Sequence, residues 1–199
     1  QDANTLQPLV DSPGTYTLTV EDNNNNCRAQ AEIQVLLDNT PPIVDAGLDT
    51  LLNCTRTQLQ LSGTADAQGA GVTYAWSTLD GNLLNGTNTA TPLIDAAGTY
   101  LLEITNTTNE CLATDEVTVT LDTISPVIQI LLPTILTCAD TTANLDAGAS
   151  IAGSNPLYSW TNTLGQPITN EDQVVATITQ AGDYQLLLTN TDNGCSQTA

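Results

Sequence analysis

Apolar and polar residues alternate with period two along most of the chain. Leu59 and Leu61 alternate with Gln58, Gln60 and Ser62, and Val72, Tyr74 and Trp76 with Thr73, Ala75 and Ser77. Tyr100, Leu102 and Ile104 alternate with Leu101, Glu103 and Thr105, and Val117, Val119 and Leu121 with Thr118 and Thr120. Successive side chains of a strand point to opposite faces, so each run predicts a strand with one buried face. The clusters SGTADAQGAG, LDGNLLNG, DAAG and TNTTNE separate the runs. Gly, Asn and Asp suit turns because they tolerate unusual backbone angles or hydrogen-bond to the nearby main chain. The spacing predicts strands A near 42–53, B at 57–63, C at 72–78, one or two short strands within 83–94, F at 99–106 and G at 112–121. No run of ten residues carries a helical pattern.

The pattern recurs at a fixed interval. Tyr16, Tyr100 and Tyr184, in SPGTY, AAGTY and QAGDY, lie 84 residues apart, and so do Cys27, Cys111 and Cys195. The same 84-residue step relates Cys54 to Cys138, Tyr74 to Tyr158, Trp76 to Trp160 and Pro42 to Pro126. Self-similarity at one period is the mark of a tandem array. Residues 1–38 match the C-terminal part of a repeat, 41–122 a complete repeat, and 125–199 a repeat lacking its last strand. That phase reads as a stretch of a longer repetitive chain.

Six or seven short strands in a repeat of this size predict an all-β fold of tandem immunoglobulin-like β-sandwiches. Trp76 and Trp160 on strand C are the expected core anchors. Tyr16, Tyr100 and Tyr184, at the start of strand F, hold the place of a tyrosine corner and are also expected in the core. Burying one such ring contributes about 2–3 kcal/mol.

The succession AGLDTLLNC, LQLSG, YAWSTLDG, AAGTYLLEITNTTNEC and DEVTVTLD resembles the PKD-like and Ig-like repeats of very large surface proteins in Bacteroidota. Gliding adhesins and adhesins of the type IX secretion route are among them. The resemblance covers the whole chain, with YAWSTLDG and YSWTNTLG standing where typical PKD domains carry WxFGDG. It implies an extracellular, cell-surface role that is structural or adhesive rather than enzymatic. It also implies O-glycans on Asp-Thr motifs, with Thr50, Thr123 and Thr141 as the candidates.

Composition narrows the chemistry. The chain of 199 residues has 2 Lys+Arg against 22 Asp+Glu, no His and a net charge of −20. Both cations are arginines, Arg28 and Arg56. Without His there is no Ser-His-Asp or Cys-His catalysis, and without Lys no Schiff base or Lys-Asn crosslink. Nucleic-acid binding begins with neutralising phosphates, which this charge opposes. An anionic membrane surface repels it as well, and no apolar run of about 18 residues is present to insert into a membrane. The acidic residues are scattered, so no paired-carboxylate centre stands out and no enzyme is expected.

Five cysteines on a strict period read as disulfides rather than metal ligands, there being no CxxC pair. Pairing within repeats joins Cys54 to Cys111 and Cys138 to Cys195. Pairing between repeats joins Cys54 to Cys195 and leaves Cys27, Cys111 and Cys138 to partners in further repeats. Strand direction favours the second. Cys54 precedes strand B at one end of the sandwich, Cys111 follows strand F at the other, and strand G spans roughly 30 Å between those ends. The short junctions DNTPP and DTISP limit bending, because proline fixes φ.

No cofactor is expected. Asp22 with Asn23 and Asn25, and Asp192 with Asn193, are weak Ca²⁺ candidates, being oxygen ligands without a DxDxDG loop. The expected function is a structural repeat of a bacterial extracellular filament or giant adhesin, forming a stiff, disulfide-stapled rod. Its partners are neighbouring repeats and other copies of the chain in a homopolymer. The alternatives are a spacer stalk that presents an adhesive or enzymatic tip, or a module that binds glycans or Ca²⁺.

Overall fold

The structure, a computed structural model, describes residues 5–67, 69 and 71–199. Residues 1–4 of the first segment and Gln68 and Ala70 of the long turn cluster lie outside the described residues. No helix occurs among the described residues.

The first segment is a hairpin, β1 (Gly14–Glu21) against β2 (Arg28–Val35). Among the described residues the middle segment holds nine strands: β3 (Ile43–Asp45), β4 (Thr50–Asn53), β5 (Leu59–Gln60), β6 (Thr64–Asp66), β7 (Val72–Thr78), β8 (Leu83–Asn85), β9 (Leu93–Ile94), β10 (Gly98–Asn106) and β11 (Leu112–Asp122). One sheet runs β4-β11-β10-β7, and β4 joins β11 in parallel. The opposing layer is built from β3-β6 and β5-β9-β8. Since β5 and β6 together form one broken strand B, the two layers are A-B-E-D and A′-G-F-C. That is immunoglobulin topology, read from the pairings themselves.

The alternating positions explain the packing. Tyr100, Leu102, Ile104, Val117 and Val119 point inward from β10 and β11, and all are buried. They meet Leu52, Leu61, Trp76 and Ile94 from the other strands in one core. Trp76 donates its indole N–H to the Thr89 carbonyl at 3.0 Å, which satisfies the one polar atom of the buried ring. The Trp160 indole does the same to Gln173, 84 residues on.

The tyrosine corner is present three times. The hydroxyls of Tyr16, Tyr100 and Tyr184 donate to the carbonyls four residues earlier, of Ser12, Ala96 and Gln180, at 2.7, 2.7 and 2.9 Å. Tyr100 also accepts the Asn82 N–H at 3.0 Å, and burial holds its hydroxyl protonated beyond the ordinary tyrosine range. Tyr100→Phe strips partners from the Ala96 carbonyl and the Asn82 N–H. It is expected to lower stability by about 1–2 kcal/mol in urea titration, with the fold retained.

The third segment repeats this plan with β12 (Ala143–Asp146), β13 (Pro156–Asn162), β14 (Ile168–Thr169), β15 (Val175–Ile178), β16 (Tyr184–Asn190) and β17 (Ser196–Thr198). The sheets are β12-β15-β14 and β13-β16-β17, around a core that includes Trp160, Leu186 and Leu188.

Several expectations need correction. Strand A is not continuous over 42–53. Gly47, at φ +93°, turns the chain so that β3 pairs in one sheet and β4 in the other. Strand B runs on past residue 63, because Thr64–Asp66 pairs with Ile43–Asp45 inside what reads as a turn cluster. The third segment does not wholly lack its last strand, for β17 pairs with β16 where β11 begins against β10. Tyr16 is not in a core. Among the described residues no second sheet covers the first hairpin, and its inward-type residues Leu18 and Ile33 are 62% and 68% exposed. Tyr184 sits half-buried at the edge of the third segment's core.

Candidate functional site

The most developed polar constellation lies where the middle and third segments meet. Two elements form it: the β11 end with the following linker, and the tip of the β16–β17 hairpin. Pro126, where the third segment starts, is buried, as is Pro42 at the start of the middle one.

Asn193, on the hairpin tip, is 1% exposed. Its Nδ2 donates to Asp122 Oδ1 at 2.8 Å and to the Ile124 carbonyl at 3.0 Å. Its Oδ1 accepts the Cys195 N–H at 2.9 Å. Both donors and the acceptor of the amide are thus used, which is the condition for burying an Asn at little cost. The Asn193 carbonyl accepts the Cys54 N–H at 3.2 Å. The Asp122 carboxylate is held in turn by the Ile124 N–H at 3.2 Å.

Beside this amide latch, Cys54 and Cys195 form a disulfide with Cα atoms 5.0 Å apart and a sequence separation of 141. Cys195 is buried and Cys54 is exposed. Gly194 lies between the latch and the staple at φ +71°, and a Cβ there would come within 2.3 Å of Thr55 Cγ2. Glycine takes this angle without strain and leaves room for Thr55, whereas the equivalent tips carry Asn26 and Glu110 at φ +57° and +59°. The Asn53 carboxamide fixes the turn that carries Cys54, accepting the N–H groups of Thr55 and Arg56. Arg56 reaches back to the Leu51 carbonyl and the Thr50 hydroxyl.

The first junction carries the same latch 84 residues earlier, with no disulfide beside it. Asn109 Nδ2 donates to the Thr40 carbonyl and its Oδ1 accepts the Cys111 N–H, both at 3.0 Å. The Thr40 N–H and then the Asn109 side chain hold the Asp38 carboxyl below its ordinary pKa. A depressed carboxylate stabilises the fold above its unfolded pKa, here 3.8, and the contribution is lost as the pH falls through the lower folded value. Acidification below pH 3.8 is therefore expected to shift the Thr40 amide resonance as its bond to the Asp38 carboxylate is lost, and Asp38→Asn to remove that dependence, as read by NMR. In the first hairpin Asn25 Oδ1 accepts the Cys27 N–H at 2.9 Å, so the tip is already shaped for the same latch.

The remaining candidates are placed as follows. Cys27 and Cys138 are exposed and Cys111 is half-buried, and none of the three is in a disulfide within this chain. Asp22 Oδ1 accepts the Asn24 N–H, which makes it a cap of its own hairpin turn. Asp192 Oδ2 accepts the Ser154 N–H at 2.8 Å. With Asn193 given to the junction, these residues do not converge as oxygen ligands. Among the described residues no three acidic, Cys or His side chains gather as a metal site would require. Thr123 and Thr141 are exposed, whereas Thr50 is half-buried in β4.

Sequence reasoning missed the latch. Its signal was the recurrence of Asn two residues before Cys, at 25, 109 and 193, together with Asp38 and Asp122 at the linkers.

No family model and no curated protein matches the chain. Solved structures do. The N-terminal eight Ig domains of Down Syndrome Cell Adhesion Molecule align at 13% identity and TM-score 0.47, over 94% of this chain and 30% of that one. Three N-terminal domains of the bacteriophage RB49 Highly Immunogenic Outer Capsid protein align at 13% and 0.45, over 94% and 77%. The I67–I69 fragment of titin aligns at 14% and 0.37, over 80% and 64%. The chain spans under half the length of the first two structures it matches.

Proposed function

We propose that the chain is a structural, tension-resisting repeat of a bacterial extracellular filament or giant cell-surface adhesin. The observation that carries this reading is the junction, where an amide latch and a disulfide hold the end of one segment to the hairpin tip of the next. A short linker with a buried proline leaves little room to bend, and the latch fixes the direction that remains. A disulfide fits an oxidising compartment outside the cytosol. The sequence resemblance to Bacteroidota surface repeats supports the bacterial assignment.

On this reading 1–38, 41–122 and 125–199 are successive units of one array. Cys27, Cys111 and Cys138 meet partners in further repeats, as Cys54 meets Cys195. The acidic surface keeps rods apart at low salt, and other copies of the chain join the polymer. Glycans on exposed Thr123 and Thr141 would shield the junctions.

Small-angle scattering of the oxidised protein tests the rod. A maximum dimension that stays fixed with salt and temperature supports it. A broad distribution of dimensions in the oxidised state would sink the rod and leave a flexible spacer stalk.

A further inference from the structure

The Cys54–Cys195 bond does more than fasten a junction, because it decides which part of the chain feels a pull. We infer that tension applied between the two ends of this chain bypasses residues 55–194. The inference goes beyond the rod reading, since it follows from covalent connectivity rather than from stiffness.

Consider a pull between the first segment and the end of the third. The shortest covalent route passes up β2, through the linker to β3 and β4, across the disulfide to Cys195, and out along β17. Everything between Cys54 and Cys195 is a closed ring, and its ends cannot be drawn apart. That ring contains β5 to β16, hence both tryptophans and most of both cores. It also contains the second linker, so under a pull on the two ends of this chain Thr123 and Ile124 carry no tension, while Asn39 and Thr40 of the first linker do.

The tensed route has little slack. Between Cys27 and Cys54, β2, β3 and β4 contribute 8, 3 and 4 residues that are already extended. The route is also well anchored. β4 is paired along its length with β11 and β3 with β6. Ladder hydrogen bonds lie across the strands, so a pull along β4 loads them together instead of one after another. The latch adds a noncovalent clasp at the point where the ring closes, through Asn193 and Asp122. Most of both cores thus stays out of the force path between the ends of this chain, and the stretch from Cys27 to Cys54 lengthens little before a covalent bond is at risk.

Single-molecule pulling on the full chain, with handles at Gln1 and Ala199, tests this. The oxidised molecule is expected to stop short of the reduced one by about 500 Å, the extended length of the 141-residue separation. Ten Gly-Ser residues inserted after Thr123 leave the oxidised length unchanged, and the same insert after Asn39 lengthens it by about 35 Å. Reducing the wild-type molecule in place covers the case in which Cys54→Ser/Cys195→Ser folds poorly. Equal final lengths with and without reductant would overturn the bypass, as would a length that grows with the second-linker insert. A short oxidised length combined with free bending in scattering removes the rod and keeps the bypass.

Discussion

Replacing both Cys54 and Cys195 by serine is expected to lower the stability of the middle and third segments, unfolding together, by about 5 kcal/mol. The disulfide closes a 141-residue loop, and loop-closure entropy removed from the unfolded chain gives about that figure. Most natural disulfides of small domains close far shorter loops, so this bond acts on the pair of segments rather than on either alone. Guanidinium titration of the oxidised protein and the double variant gives the difference. The double variant is also expected to show two transitions where the oxidised protein shows one, because the staple couples the segments. A single, unshifted transition would mean that the bond constrains nothing in the unfolded chain.

The second large effect is expected from Asn193→Asp. The substitution keeps the shape and replaces the buried donor to Asp122 by a second carboxylate, with Asp122 Oδ1 now 2.8 Å from an acceptor. An uncompensated charge in a buried network costs about 3–5 kcal/mol. The Ile124 carbonyl loses its partner as well. Acid should partly repair the variant, because two carboxylates so close share a proton above the usual carboxylate pKa of about 4, which restores one donor. A stability curve that rises towards low pH for N193D while the wild type falls would show the latch directly. Asn193→Ala serves as the uncharged control, with a smaller loss from the unpaired Cys195 N–H and Ile124 carbonyl.

Much of the fold was legible because period-two alternation and the 84-residue repeat both come from the same physical need, to bury one face of each strand. Tyr100, Leu102 and Ile104 announce β10 on that ground alone. What stayed hidden depended on partners in three dimensions. Thr64–Asp66 carries turn residues yet forms a strand, because Ile43–Asp45 supplies its ladder bonds. Gly47 splits strand A, and nothing in its neighbours tells a bulge from a sheet change. The latch was missed because Asn beside Cys in a Gly- and Asp-rich tip looks like turn chemistry. Its meaning comes from Asp122, 71 positions earlier in the chain. Tyr16 shows the converse: its motif is intact, and its hydroxyl makes the corner bond, yet burial needs a second sheet.

The separation of Cys54 from its partner also sets an order for maturation. A ribosome adding about 5–20 residues per second makes Cys54 wait on the order of 10–30 s before Cys195 exists. Cys111 and Cys138 emerge sooner, and either is a competitor for the waiting thiol. Folding of the middle segment removes the first, because β11 with its 11 residues holds Cys111 about 35 Å from Cys54 at the far end of the strand. Shape thus removes Cys111 as a partner before redox chemistry acts, and the folded middle segment guards its own Cys54 until Cys195 arrives.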